Sequence, residues 1–106
     1  AAGPYGTMKA AIIHYTQGVA YKLAAQGVRA NSVSPGNTYF PGGVWPSIEE
    51  NNPELFAQAL ALNPTGRMAT PQEVANAVVF LSSAAASFIT GTNLVVDGAL
   101  TRGVQL

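Results

Sequence analysis

Tyr5 and Lys9 stand four residues apart in Tyr5-Gly6-Thr7-Met8-Lys9. On an α-helix this spacing stacks two side chains on one face, with Cβ atoms roughly 6 Å apart. The pair then presents a phenol and an ammonium to the same small volume. A phenol ionises near pH ~10, too high for proton exchange at neutral pH, and a fixed positive charge a few ångströms away favours the phenolate. Such a pair can hand a proton to an alcohol or carbonyl oxygen, or take one back. The competing reading is an exposed helix start whose Lys9 is merely solvated. Among four tyrosines and two lysines a chance match at this spacing is expected roughly one time in ten, so the pair must be weighed with its surroundings.

The elements that must position the pair follow in order. Gly3-Pro4 is a turn placed directly before a helix. From residue 5 to 26 there is no proline, and Met8, Ile12, Tyr15, Val19 and Leu23 recur at steps of three and four, one apolar helical face. Ala11, Ile13, Ala20 and Ala24 lie off that stripe, so this helix is apolar on more than one side and is expected to be buried twice. Gly27 occupies the expected C-terminal cap. Residues 28–34 read as a short strand stopped by Pro35-Gly36. From Asn37 to Asn52 the spacing of Pro41, Gly42, Gly43 and Pro46 predicts no regular structure beyond a turn or two. Residues 36–64 are expected to form a lid or substrate loop, in which Tyr39, Phe40 and Trp45 either cover an apolar ligand or anchor the loop to the core.

Asn52-Pro53 opens a second helix with Asn52 as its cap, and Leu55, Phe56, Ala59, Leu60 and Leu62 give it an apolar face. Thr70-Pro71-Gln72-Glu73 is a capping box for a helix running to about Ser82. Residues 84–87 are a small-residue connection, Ile89-Thr90-Gly91 a turn, and Asn93-Leu94-Val95-Val96 a buried strand closed by Asp97-Gly98. A strand, crossover helix and second strand make a parallel, right-handed α/β unit. Two parallel strands do not form a stable sheet alone, and both faces of a parallel sheet must be covered. Further strands are therefore expected beside residues 28–34. The chain, residues 1–106, reads as a single partial domain: the carboxy-terminal part of a doubly wound parallel-sheet, Rossmann-like fold, with about two strands and three to four helices.

Composition narrows the partners. Of 106 residues, 48% are apolar and 9% charged, which excludes a disordered tail and suggests that much of the surface meets other protein. Five basic and five acidic residues cancel, with no basic cluster, so neither nucleic acid nor an anionic membrane is an expected partner. There is no cysteine, and His14 is the only histidine. No metal site is expected, and the lack of thiols fits a reducing, cytoplasmic compartment. No signal peptide, membrane-crossing run or internal repeat is found. The chain begins Ala1-Ala2-Gly3-Pro4 with no methionine before Met8, directly against a helix, and is expected to be part of a longer polypeptide.

With this pattern assembled, the sequence resembles the carboxy-terminal part of the short-chain dehydrogenase/reductase family. Tyr5 and Lys9 match its Tyr-x-x-x-Lys, and Asn31-Ser32-Val33-Ser34-Pro35-Gly36 matches its Asn-x-[Val/Ile]-x-Pro-Gly. Ile89-Thr90-Gly91 followed by Val96-Asp97-Gly98, and Thr65-Gly66-Arg67 with Thr70-Pro71-Gln72-Glu73-Val74-Ala75, are similar to the segments around the family's last helix and strand. The likeness covers essentially the whole chain, and the order and spacing of the motifs carry it.

The resemblance implies an NAD(P)-dependent oxidoreductase. Tyr5 is then the acid in carbonyl reduction and the base in alcohol oxidation, and Lys9 holds the nicotinamide ribose hydroxyls and acts electrostatically on Tyr5. Pro35 and Gly36 approach the nicotinamide, and Thr38 lies near the carboxamide or phosphates. Phe40 stands where the family often has threonine, and Ala99 where it commonly has the second glycine of Asp-Gly-Gly, a change expected to be minor. The glycine-rich phosphate loop, the substrate-orienting serine, the helical asparagine and the residue that selects NAD or NADP precede the tyrosine in the family and are not found here. The 106-residue chain alone is therefore expected to be inactive. Tyr39, Phe40, Trp45, Leu55 and Phe56 suggest a small hydrophobic carbonyl or alcohol substrate. The helix over residues 5–26 is expected to join subunits of a dimer or tetramer. The alternative is a non-catalytic oligomerisation module derived from the same fold.

Overall fold

The computed structural model describes residues 3–104. Four α-helices and two strands follow the order α1 (Gly3–Leu23), β1 (Ser32–Pro35), α2 (Val44–Asn51), α3 (Pro53–Ala61), α4 (Pro71–Ser82) and β2 (Asn93–Val96). The strands pair parallel: the Ser32 amide donates to the Thr92 carbonyl at 2.9 Å and the Gly36 amide to the Val96 carbonyl at 3.0 Å. Both partners advance four residues in the same direction, with α4 in the connection between them, as the strand–helix–strand reading requires. The architecture is the α/β, Rossmann-like one expected, with two parallel strands and four helices.

The chain divides into two compact units, Ala1–Val33 with Val78–Leu94 and Ser34–Ala77 with Val95–Leu106. In the first, α1 ends in a 3-10 turn, Ala24–Gln26, closed by Gly27 at φ 76°, the left-handed C-cap predicted from its position. Ala20 is the buried residue of α1. A Cβ built on Gly91 would lie 3.5 Å from the Ala20 Cβ, so a small residue faces a glycine where helix and loop meet. Leu81 and Ala86 complete the buried apolar residues of this unit, and residues 84–86 form a 3-10 turn where only a connection was expected.

The strand predicted over residues 28–34 is shorter and starts later. Before Ser32 the backbone pairs differently: the Ala30 amide donates to the Thr90 hydroxyl at 3.1 Å, and the Ala30 carbonyl accepts from Gly91 at 2.8 Å. A loop and a side chain replace the ladder there. Arg29 and Asn31 supply the remaining links, described with the site below.

In the second unit, Phe40-Pro41-Gly42-Gly43 is a turn whose Gly43 amide donates to the Phe40 carbonyl at 3.0 Å, with Gly42 at φ 83°, the glycine position of a type II turn. The expectation of no regular structure beyond a turn or two across residues 37–52 needs correction, since α2 is eight residues long, just over two turns. Pro46 falls in its first turn, where a missing amide costs nothing. Asn52 caps α3 as predicted, its side-chain oxygen accepting from the Leu55 amide at 3.3 Å. The capping box of α4 also forms, with Glu73 N–H to Thr70 Oγ1 at 3.3 Å and Thr70 N–H to Glu73 Oε1 at 3.0 Å. Trp45 and Tyr39 both lie against Phe56, with ring centroids 6.5 Å and 6.0 Å away. Two of the three loop aromatics therefore pack on a residue of the same 36–64 segment.

Candidate active site

Tyr5 and Lys9 lie on the first turns of α1. The Lys9 Nζ stands 5.5 Å from the centroid of the Tyr5 ring, within the range of a cation–π contact. The two groups point the same way, as the four-residue spacing predicts. Both are open to solvent, Tyr5 at 64% exposure. Met8, Ile12 and Tyr15, on the same side of the helix, are exposed too. A phenol and an ammonium on one helix face offer two donors to a hydroxyl-bearing or carbonyl ligand.

The other candidates belong to the second unit. Gly36 follows the end of β1, and its backbone lies hard against Asp97: a Cβ built on Gly36 would stand 2.7 Å from the Asp97 Cβ and 2.9 Å from its Cα. Glycine is needed there for close approach, not for an unusual φ. The Thr38 hydroxyl donates to the Gly36 carbonyl at 3.1 Å, and its neighbours pair with the segment before α4, Tyr39 N–H to the Ala69 carbonyl at 2.9 Å and Ala69 N–H to the Asn37 carbonyl at 2.8 Å. Pro35, Gly36 and Thr38 thus lie in one braced segment running from the end of β1 to the Thr38–Ala69 bridge. Beside it, Pro35, Thr38, Phe40, Pro71 and Val74 line an apolar hollow of about 300 Å³.

Electrostatics in this unit follow from hydrogen bonds. Arg67 grips Glu73 through two bonds of 2.7 and 2.8 Å. With help from the Thr70 amide it holds the Glu73 carboxyl down to about 2. The Asp97 carboxyl is held below the usual carboxylate range, chiefly by the Thr101 amide. The Tyr39 hydroxyl donates to Glu49 Oε1 at 2.6 Å, and that bond raises the Tyr39 phenol above its usual range. No group of three or more His, Cys, Asp or Glu placed to hold a metal ion occurs among the described residues.

Comparison with known proteins gives a consistent answer. Residues 1–101 match the family model described as enoyl-(acyl carrier protein) reductase. The chain is 41% identical over 101 residues to isoepoxydon dehydrogenase of Penicillium expansum, covering 95% of this chain and 39% of that protein. It is 40% identical to 2-(S)-hydroxypropyl-CoM dehydrogenase 3 of Xanthobacter autotrophicus, covering 92% and 38%. A crystal structure of a short chain dehydrogenase/reductase family oxidoreductase from Burkholderia thailandensis superposes with a TM-score of 0.82 at 43% identity, over 93% of this chain and 38% of that one. The chain belongs to the short-chain dehydrogenase/reductase family. It spans about two fifths of the length of the relatives it matches.

Within this short-chain dehydrogenase/reductase chain, three side chains matter that the motif reading passed over. Arg29 donates to the carbonyls of Leu81, Ile89 and Ser83 at 2.7, 3.1 and 3.3 Å. Asn31, counted above only as a motif letter, donates to the Ile89 carbonyl and accepts from the Thr92 amide, both at 3.0 Å. Asp97 accepts from the amides of Ala99 and Thr101. An arginine inside the predicted strand 28–34, in a chain with 9% charged residues, was the available clue to the first. Nothing local reveals the other two.

Proposed function

We propose that the whole protein is an NAD(P)-dependent oxidoreductase acting on a carbonyl or alcohol carbon, with Tyr5 as its proton donor and acceptor and Lys9 as the electrostatic and ribose-binding partner of Tyr5. The observation that carries this reading is the Lys9 ammonium lying 5.5 Å over the Tyr5 ring on one solvent-facing helix turn. A nicotinamide ribose offers hydroxyls, and the donor set here, an ammonium beside a phenol, suits them. Nicotinamide, when bound, supplies or accepts the hydride. In reduction, the Tyr5 hydroxyl gives its proton to the substrate oxygen as charge develops there, and the Lys9 ammonium stabilises the negative charge left on the phenolic oxygen. In oxidation the proton returns by the same route. Pro35, Gly36 and Thr38 form the braced segment assigned to the nicotinamide side, and the apolar hollow beside Phe40 suits a small hydrophobic substrate. The 106-residue chain by itself does not turn over, and the working protein is cytoplasmic.

The test is Tyr5→Phe in the full-length protein. Turnover is expected to fall about a hundredfold to ten-thousandfold, the usual worth of a positioned general acid, with nicotinamide affinity nearly kept. Lys9→Ala is expected to damage both. Turnover in Tyr5→Phe within a fewfold of wild type assigns the proton to another group.

A second reading keeps the fold and drops the chemistry: α1 is an oligomerisation surface of a non-catalytic module. Met8, Ile12 and Tyr15 are 63%, 55% and 74% exposed, an apolar face for the rest of the polypeptide or a second subunit to cover, and homo-oligomerisation through residues 5–26 fits either reading. A full-length protein that assembles but neither binds nicotinamide nor turns over would select the second.

A further inference from the structure

We propose that Asp97 is a positioning residue for the Pro35–Gly36 segment at the end of β1, its carboxylate locking the chain reversal at 97–100 so that the Asp97 backbone becomes the wall on which Gly36 is seated. This rests on the reading above that Pro35 and Gly36 face the nicotinamide.

Three observations within the second unit lead here. The first is the reversal itself. Gly98 and Ala99 have φ of 60° and 66°, and the Leu100 amide donates to the Asp97 carbonyl at 3.1 Å, the pattern of a turn with two left-handed central residues. Glycine adopts that region freely, but alanine does not, and Ala99 is the described non-glycine residue found there. Left to itself this turn would relax.

The second observation is what holds it. Both carboxylate oxygens of Asp97 are used on the backbone of the same reversal: Oδ1 accepts from Ala99 N–H at 3.1 Å and Oδ2 from Thr101 N–H at 3.0 Å. One ionised side chain brackets the strained alanine from both sides. On the flank, a Cβ built on Gly98 would stand 3.0 Å from Thr65 Cγ2, so a larger residue at this position would crowd Thr65.

The third observation is where the wall leads. Gly36 meets Asp97 backbone to backbone, its would-be Cβ 2.7 Å from the Asp97 Cβ, 2.9 Å from the Cα and 3.4 Å from the carbonyl oxygen. Its amide is fixed at 3.0 Å on the carbonyl of Val96, the residue before Asp97. No flexible side chain lies between them to absorb a displacement. A shift of the Asp97 backbone therefore passes directly to Gly36, and from there to the Thr38 hydroxyl bonded to the Gly36 carbonyl. Misplacing a binding group by about 1 Å is enough to cost a large factor in function.

The experiment titrates NADH and NADPH into the full-length protein by fluorescence and follows melting temperature alongside. Asp97→Ala is expected to weaken binding of the preferred nucleotide about tenfold. Adding Ala99→Gly to that variant is expected to recover most of the loss, because glycine adopts the left-handed turn without the carboxylate. A purely structural role would lower the melting temperature and leave the affinity of the folded protein unchanged. Should Asp97→Ala be obtained only unfolded, Asp97→Glu carries the test, since it keeps the charge, displaces both oxygens by one methylene and is expected to weaken binding several-fold; wild-type affinity in it overturns the assignment. Gly36→Ala separates the two layers. If it weakens binding while Asp97→Ala does not, the role of Asp97 fails alone. If Gly36→Ala binds like wild type, or wild type binds neither nucleotide, the cofactor placement fails and the role of Asp97 with it.

Discussion

Arg29 donates from Nη1 to the Leu81 carbonyl at 2.7 Å across a separation of 52 residues. The same guanidinium reaches Ile89 and Ser83. The last carbonyls of a helix have no partner within it, and Leu81 lies in the final turn of α4. One planar cation thus satisfies the helix end and the approach to β2 together. Arg29→Met is expected to destabilise the full-length protein by about 2–4 kcal/mol, since charged hydrogen bonds to part-buried carbonyls are lost and the carbonyls left behind are unsatisfied. Arg29→Lys should fall between, because an ammonium cannot reproduce the fork. Urea denaturation gives the order, and a methionine variant within about 0.5 kcal/mol of wild type, a change typical of a featureless surface position, would show that water replaces the arginine at no cost.

The helices and turns of this chain were legible because their instructions are local. Pro53 after Asn52, Thr70 before Glu73 and Gly27 after a proline-free run each name a helix end within three or four residues. The Tyr5–Lys9 relationship was legible for the same reason, being a property of one helix. Strand limits were less so: β1 begins at Ser32 because Ala30 and Asn31 spend their polar groups on residues 89–92, sixty positions away. The same distance hid Arg29 and the contact of Gly36 with Asp97. In the loop, proline and glycine were read as breakers, yet Pro46 at the first turn of α2 is a starter. Position, not residue type, decides which role proline takes.

Ala99 was expected to be a minor departure from the glycine its family commonly carries. Its φ of 66° gives the substitution a physical consequence, since an L-residue in the left-handed region is disfavoured by roughly 1–2 kcal/mol. Glycine's greater freedom in the unfolded chain offsets part of this. Ala99→Gly is therefore expected to stabilise the full-length protein by about 0.5–1 kcal/mol, read as a rise in melting temperature. A fall would mean that the alanine methyl makes a contact worth more than the strain.

Glu73 supplies a pH dependence. Its carboxyl is held from the ordinary 4.5 down to about 2, first by Arg67 and then by the Thr70 amide. A depressed acid binds fewer protons in the folded state than in the unfolded one, so stability rises with pH through the window between the two values. The contribution is fully present above about pH 4.5 and is lost as pH falls toward 2. The stability gap between wild type and Glu73→Gln should be constant near neutrality and close through this acid window. Salt should narrow it, because the Arg67–Glu73 pair is solvent-exposed. A gap that persists unchanged at pH 2 would assign the effect to packing.

Gly43 and Gly36 both leave less than 3 Å for a Cβ, yet the two alanine variants should behave differently. At Gly43 the obstructing atoms are the far edge of the Phe40 ring, 2.8 to 3.0 Å away, on a residue that is 42% exposed and has open space to turn into. At Gly36 they include the backbone of Asp97. Gly43→Ala should cost well under 1 kcal/mol, as for a change that one exposed side chain absorbs, while displacing Phe40 from the hollow it lines with Pro35, Thr38, Pro71 and Val74. If that hollow receives the hydrophobic part of the substrate, KM for substrate should rise several-fold with nicotinamide affinity unchanged, the signature of lost uniform binding. Gly36→Ala should instead lower stability and nicotinamide affinity together. Identical kinetic profiles for the two variants would remove Phe40 from the substrate side.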